Sequence, residues 1–396
     1  MNREQELYLS LLKDYVHEKR SYITENEILW KRLLRYARQQ NTMGILSYQL
    51  KDTSLPESVK KDLKQGFLSD VYLSVNSSYA LEEIGKYFSK EGIQHLPFKG
   101  SLMKEYYPHP ELRTMGDRDI LIRNKDRTKT DQIMKELGFD RFIDNHAVYT
   151  YTKKHLMFEI HDTMFYEELS NSFDYRSYFE RIWDSAVKEE GCRFLPDKEL
   201  HFVYTLVHTA KHTINKGMGF RAFLDMVFFS KNADADWNKI IELLKEIKLY
   251  EFTANCFSLC EKWFGVTMPF HNGVPDMEFL DSVTEKIFLD GIFGFDNEDN
   301  LTGYSAKMIR RSDKSYTSTA VEMTLHRIFP PYRDMQLIPW YSWVDGKPWL
   351  LPAAWIYRWG YCLFNKRKEG TDLLLLPYQK KKEIEEREEY LKKWGL

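Results

Sequence analysis

Phe98-Lys99-Gly100-Ser101 and, further along, Met115-Gly116-Asp117-Arg118-Asp119-Ile120-Leu121-Ile122 are the stretches that decide how this chain is read. The first ends a short apolar, helix-poor run that begins at Ile93. It turns on Gly100-Ser101 into a helix-like piece, Leu102 to Tyr107, which Pro108-His109-Pro110 breaks. The second reads as a strand, with Ile120 and Ile122 on one face and Asp117, Asp119 and Leu121 on the other. Two carboxylates one pleat apart can share a hard divalent cation through oxygen, and Mg²⁺ keeps positions for water and substrate phosphates. A Gly-Ser turn ahead of a helix offers backbone N–H groups and a hydroxyl to phosphate oxygens. These parts together suit metal-assisted phosphoryl or nucleotidyl transfer.

Such a site is usually completed by a third acid. Working outward, Lys125 to Leu137 reads as a helix stopped at Gly138, and Val148–Thr152 and Leu156–His161 as strands joined by Lys153-Lys154. On the second strand Leu156, Phe158 and Ile160 share one face, and Met157, Glu159 and His161 the other. Glu159 is therefore the candidate third acid, either holding the metal or accepting the proton of an attacking hydroxyl. Each piece alone has a plainer reading: Asp-x-Asp as a solvated strand end, Gly-Ser as a turn, Glu159 as a surface acid. Their order and strand context favour the catalytic reading.

The whole is an α+β chain in three parts. Residues 1–90 are helical: Tyr8, Leu11, Leu12 and Tyr15 fall on one helical face, Thr24-Glu25-Asn26-Glu27 has capping-box spacing, and a long helix runs from about Glu57 to Lys90, with Gly92 as its stop. Residues 91–165 form the compact α+β unit with a small mixed sheet. Residues 166–396 are mainly helical again, with apolar stripes on either side of Lys216-Gly217-Met218-Gly219, a Pro- and Trp-rich irregular stretch from Phe329 to Pro352, and a charged terminal helix.

The segments His95 to Ser101 and Leu112 to Ile122 resemble the uncharacterised bacterial nucleotidyltransferase-like family of the polymerase-β-type nucleotidyltransferase superfamily. Leu206-Val207-His208 through Arg221 to Asp225, and Pro348 to Pro352 with Arg358, look like the same family, so the similarity spans most of residues 80–365. It implies a nucleotidyltransferase core flanked by helical regions. The implied reaction is transfer of a nucleoside monophosphate from an NTP, ATP among them, to an acceptor hydroxyl or phosphate, dependent on Mg²⁺ or else Mn²⁺. Asp117, Asp119 and Glu159 are the catalytic and metal-binding candidates, and Lys99, Gly100, Ser101, Arg113 and Arg221 the nucleotide-binding ones. Lys99 and Arg113 read equally well as surface ion pairs. Arg221 reads either as a cation facing the substrate or as the i,i+4 partner of Asp225. His208 and His212 share a helix face without the Glu of the zinc-protease pattern, which points to a structural or substrate-facing role.

Composition bounds the partners. In 396 residues, 57 basic side chains stand against 59 acidic ones. That lacks the basic excess of a dedicated duplex binder. Four cysteines make no disulfide framework, and Cys256 and Cys260 read as small core hydrophobes. The N-terminus enters an amphipathic pattern rather than a signal-peptide core, so the expectation is a cytoplasmic chain. Trp349 to Phe364 is apolar but short of the roughly 20 residues a span needs. Two rival functions compete: a metal phosphohydrolase built on His161-Asp162, and a non-catalytic nucleotide sensor or interaction protein on the same scaffold.

Overall fold

The computed structural model describes residues 1–21, 23, 29–144, 148–165, 173–215, 217–290, 316–335, 339–344, 346–365 and 381–396. The capping box expected at Thr24–Glu27 lies outside the described residues.

Helices α1 (Arg3–Val16), α2 (Trp30–Gln39) and α3 (Met43–Leu50) precede α4 (Glu57–Lys90), a 34-residue spine. At 1.5 Å per residue it is roughly 50 Å long. Its N-terminal half buries Val59 and Leu63 in the larger core, and its C-terminal half buries Ala80, Ile84 and Phe88 under the sheet. Where α3 crosses α4, a Cβ on Gly66 would come 2.7 Å from the Met43 Cβ, so the close approach needs glycine there. At the same crossing the Gly44 N–H donates to Asp70 Oδ2 at 2.9 Å.

Burial pushes the Asp70 carboxyl up to about 6 against the Gly44 bond that lowers it. Folded Asp70 therefore holds a proton that the unfolded chain has released between about pH 4 and 6. Stability contributed here falls as pH rises through that window. Asp70→Asn keeps an acceptor for Gly44 and removes the charge. It is expected to raise the melting temperature at pH 7 and to leave it unchanged at pH 4. Equal melting at both pH values for the variant and the parent would refute the linkage.

After α4 come β1 (His95–Phe98), α5 (Gly100–Met103), β2 (Arg118–Ile122), α6 (Arg127–Glu136), β3 (Asp140–Asp144), β4 (Val148–Lys153) and β5 (Leu156–His161). The strands form one mixed sheet in the order β1-β2-β5-β4-β3, in which only β2 and β5 run parallel. One face, with Ile120, Ile122, Tyr151, Phe158 and Ile160, packs on α4 and on Ile133 and Met134 of α6. On the other face Leu96, Phe98 and Leu121 enter the larger core. Period-two alternation thus splits β2 and β5 into an apolar side beneath α4 and a side that carries acids. The chain from Met103 to Asp117 is taken up by short turns of 3₁₀-helix, Lys104–Tyr106 and Pro110–Leu112.

Beyond the sheet follow α7 (Tyr175–Glu180), a two-stranded ribbon of β6 (Val187–Lys188) and β7 (Phe194–Leu195), then α8 (Lys198–Asn215), α9 (Phe220–Asn232), α10 (Trp237–Glu246), α11 (Tyr250–Phe264) and α12 (Met277–Asp290). Their apolar faces join α1, α2 and α3 in one aromatic-rich core, in which Phe202 stacks on Phe229 at 3.9 Å. Cys256 and Cys260 are buried there as thiols. The terminal helix, Lys381–Trp394, docks through Ile384, Leu391 and Trp394. Among the described residues no helix is long and apolar enough to cross a membrane.

Candidate active site

The site forms where the acid-bearing sheet face meets α8 and α9. Asp119 of β2 and Glu159 of β5 are register partners in the parallel pair, so their side chains stand side by side on one face. His161, two residues on from Glu159, is on that face too. Its Nε2 lies 3.0 Å from Asp119 Oδ1 and 3.3 Å from Glu159 Oε2. Asp117 precedes β2 by one residue and is half-buried. Burial, with Asp119 and Glu159 adding to it, pushes its carboxyl up to about 6 in spite of Lys99 and Arg221.

Asp119 behaves in the opposite way. Burial works to raise its carboxyl, but the Lys99 ammonium and the His161 ring outweigh it and hold the group at about 2. Lys99 Nζ donates to Asp119 Oδ1 at 2.6 Å, with 15% and 4% of the two side chains exposed. Lys99 is thus half of a buried pair and not of a surface pair. Its backbone is at φ 51°, ψ −127°, a conformation costly for a side chain with a Cβ. The turn is held from the far side of the site, where the Lys99 N–H donates to His201 Nε2 of α8 at 2.8 Å. That bond requires the neutral ring with its proton on Nδ1. Burial agrees, lowering His201 to about 4.

Arg113 also belongs to a buried pair. It donates to both oxygens of Asp225 on α9, Nε to Oδ1 at 3.1 Å and Nη2 to Oδ2 at 2.6 Å, and the Tyr107 hydroxyl donates to Oδ1 at 2.6 Å. This corrects the helical-spacing expectation of an Arg221–Asp225 pair. A bidentate guanidinium from another element takes the carboxylate, and Arg221 Nη1 donates instead to the Thr114 carbonyl at 3.0 Å. Gly100 makes room for this arrangement. A Cβ there would run into Arg113 Nη1 and lie 2.6 Å from Met115 Sδ.

Between the two walls lies a cavity of about 140 Å³. Lys99, Gly100, Arg113, Asp117 and Asp119 line it from the sheet side, and Thr205, His208, His212 and Arg221 from the helices. The His208 and His212 rings meet edge to face at 4.4 Å. Burial, with Lys99 adding to it, holds His208 well below the usual histidine range, so it faces the cavity neutral. Ser101 does not line the cavity: it is buried, and its Oγ makes no hydrogen bond among the described residues.

Asp119, Glu159 and His161 can place one ligand atom each within 4.8 Å of one another, two carboxylate oxygens and an imidazole nitrogen. That donor set suits a divalent cation, and His161 Nε2 already points at both acids. Motif reading left His201 without a role and gave His161 one only in the rival phosphohydrolase. The signals were there, since His161 shares its strand face with Glu159, and His201 lies two helical turns before His208. The dipeptide of the phosphohydrolase reading is split, because His161 turns to Asp119 while Asp162 pairs with Arg127 at 3.3 Å.

No curated protein and no solved structure matches the chain. The model of one family, described as uncharacterised nucleotidyltransferase, matches residues 26–265, a span that holds the sheet, the acids and both walls of the cavity, and the chain belongs to that family.

Proposed function

We propose that the protein is a metal-dependent nucleotidyltransferase that moves a nucleoside monophosphate from an NTP to an acceptor hydroxyl or phosphate. The observation that carries this reading is the in-register pair of Asp119 and Glu159, whose Asp119 lines, together with Asp117, a cavity that Arg221 also lines. Asp117, Asp119 and Glu159 would hold Mg²⁺ or Mn²⁺, with His161 as a nitrogen donor that favours Mn²⁺. Bound there, the ion supplies charge neutralisation at the phosphoryl group under attack.

The protein's own groups do the rest. Arg221, bonded to a neutral carbonyl, brings its charge to the triphosphate. Lys99 adds a second charge beside Gly100 at the turn. Arg113 keeps the 113–116 loop in place through Asp225, which makes it a positioning residue. Glu159, 26% exposed at its side chain, takes the proton of the acceptor.

The test is incubation with each labelled NTP and Mg²⁺ or Mn²⁺, with cell extract as the acceptor source. Metal-dependent transfer of label, lost in Glu159→Gln at unchanged melting temperature and in Arg221→Ala with only a small drop in it, is the expected result. Absence of metal-dependent NTP binding and turnover in the parent protein would overturn the reading. Binding without turnover would favour the sensor reading.

A further inference from the structure

One carboxylate oxygen serves two partners in this site. Asp119 Oδ1 takes the Lys99 ammonium at 2.6 Å and the His161 ring at 3.0 Å. Asp119 also belongs to the cluster that can hold a divalent cation, with Glu159 and His161. An ammonium and a divalent cation on one buried carboxylate repel each other, with little water between them to screen the charges. Lys99 stands in the middle of the acids, since its charge interacts with Asp117 and Glu159 as well as with Asp119.

The backbone at Lys99 points to a use for its side chain. At φ 51°, ψ −127° it has a conformation that glycine adopts freely and a residue with a Cβ does not. A turn into α5 alone would be better served by glycine at 99 as well as at 100. Lysine there costs stability and places an ammonium over Asp119. That ammonium also has somewhere to go, because Lys99 lines the cavity of about 140 Å³. Its N–H stays tied to His201 while the flexible four-carbon stem turns.

We propose that Lys99 is an exchangeable counter-ion: it neutralises Asp119 until a divalent cation takes that carboxylate, and the released ammonium then turns into the cavity to meet the triphosphate. A bare cation has to displace a bound charge. A cation that arrives with triphosphate gives the displaced charge a new partner, so the site loads the two together. Where the ammonium turns rests on the nucleotidyltransferase reading, whereas the exchange at Asp119 is tested with the metal alone.

Two titrations of the full chain separate these steps. One follows Mn²⁺ alone by electron paramagnetic resonance, at the site that Asp119→Asn removes. The other follows the Mn²⁺ complex of inorganic triphosphate by calorimetry. Lys99→Met removes the charge and keeps most of the stem. Lys99→Gly also relaxes the backbone, which offsets part of the instability of leaving Asp119 without its ammonium. In both variants Mn²⁺ alone should bind about tenfold tighter than in the parent, the effect of removing a neighbouring like charge, while the triphosphate complex gains nothing. A merely structural lysine would give the opposite result for the bare ion, because damage to the site weakens both ligands. Mn²⁺ binding that is no tighter in the uncharged variants overturns the proposal and leaves the metal site standing. So does a triphosphate complex that gains as much as the bare ion. Absence of Mn²⁺ binding in the parent and both variants overturns the proposal together with the transferase reading.

Discussion

Asp119→Asn is expected to abolish nucleotidyl transfer and also to lower the melting temperature, whereas Asp117→Asn should abolish transfer and leave the protein as stable or more so. The difference follows from what each carboxylate does in the fold. Asp119 is buried against Lys99 at 2.6 Å and His161 at 3.0 Å. Removing its charge leaves a buried ammonium without its nearest counter-ion, a loss of about 3 kcal/mol. In a core this large that is several degrees of melting temperature. Asp117 is held near pKa 6 by burial and its acidic neighbours, so its ionised form costs stability at pH 7. Neutralising it removes that cost, about 1 kcal/mol after allowance for its partial exposure. Thermal melts at pH 7 beside transfer assays decide the matter. Equal melting of the two variants would mean that the Lys99–Asp119 pair contributes nothing, and full activity in either would remove that residue from the site.

The second large effect concerns Arg113 and Asp225. Arg113→Ala leaves Asp225 buried with the Tyr107 hydroxyl as its remaining donor, and Asp225→Ala leaves the guanidinium uncompensated. Each should cost about 3 kcal/mol. Arg113→Met with Asp225→Leu fills the space with apolar groups and should recover most of the loss. With single losses of about 3 kcal/mol each and most of the loss recovered in the double variant, the coupling energy is about 4–5 kcal/mol, read from denaturant unfolding of the parent, Arg113→Met, Asp225→Leu and the double variant. Additive single effects would show that the two do not act as a unit. The double variant also separates stability from function, because a stable protein with weakened NTP binding would locate Arg113's contribution in the placement of the 113–116 loop.

Local periodicity made much of this architecture legible. Alternation along β2 and β5 assigns Ile120, Phe158 and Ile160 to the buried face and Asp119 and Glu159 to the other, and the sheet has them so. The long apolar repeat of α4 and the glycine beyond it gave the helix its limits, Glu57 and Lys90. Strand β3 was not legible. Asp140-Arg141-Phe142-Ile143-Asp144 is short and bounded by acids, and it is a strand because β4 pairs with it at the sheet edge. The charge pairing was beyond reach for another reason. Helical spacing marks Arg221 and Asp225 as neighbours, but the partner that Asp225 takes is 112 residues away, and no local pattern encodes that distance. In the sequence Lys99 and Arg113 read equally well as cations that meet a triphosphate and as surface ion pairs, and only the folded chain shows that both are in buried pairs.

The bonds that span the cavity bear on how a ligand can enter it. The Lys99 amide reaches His201, Arg113 and Tyr107 reach Asp225, and Arg221 reaches the Thr114 carbonyl, so the sheet side and the helix side are joined at three separate points. A cleft that works by swinging apart needs a boundary with few crossing bonds, and among the described residues this one is crossed at three points. Opening it would break a buried guanidinium–carboxylate fork before any substrate arrived to replace it. On the proposed reading these bonds hold the two walls together at the base, so a ligand would enter by the mouth of the cavity and not by parting its base.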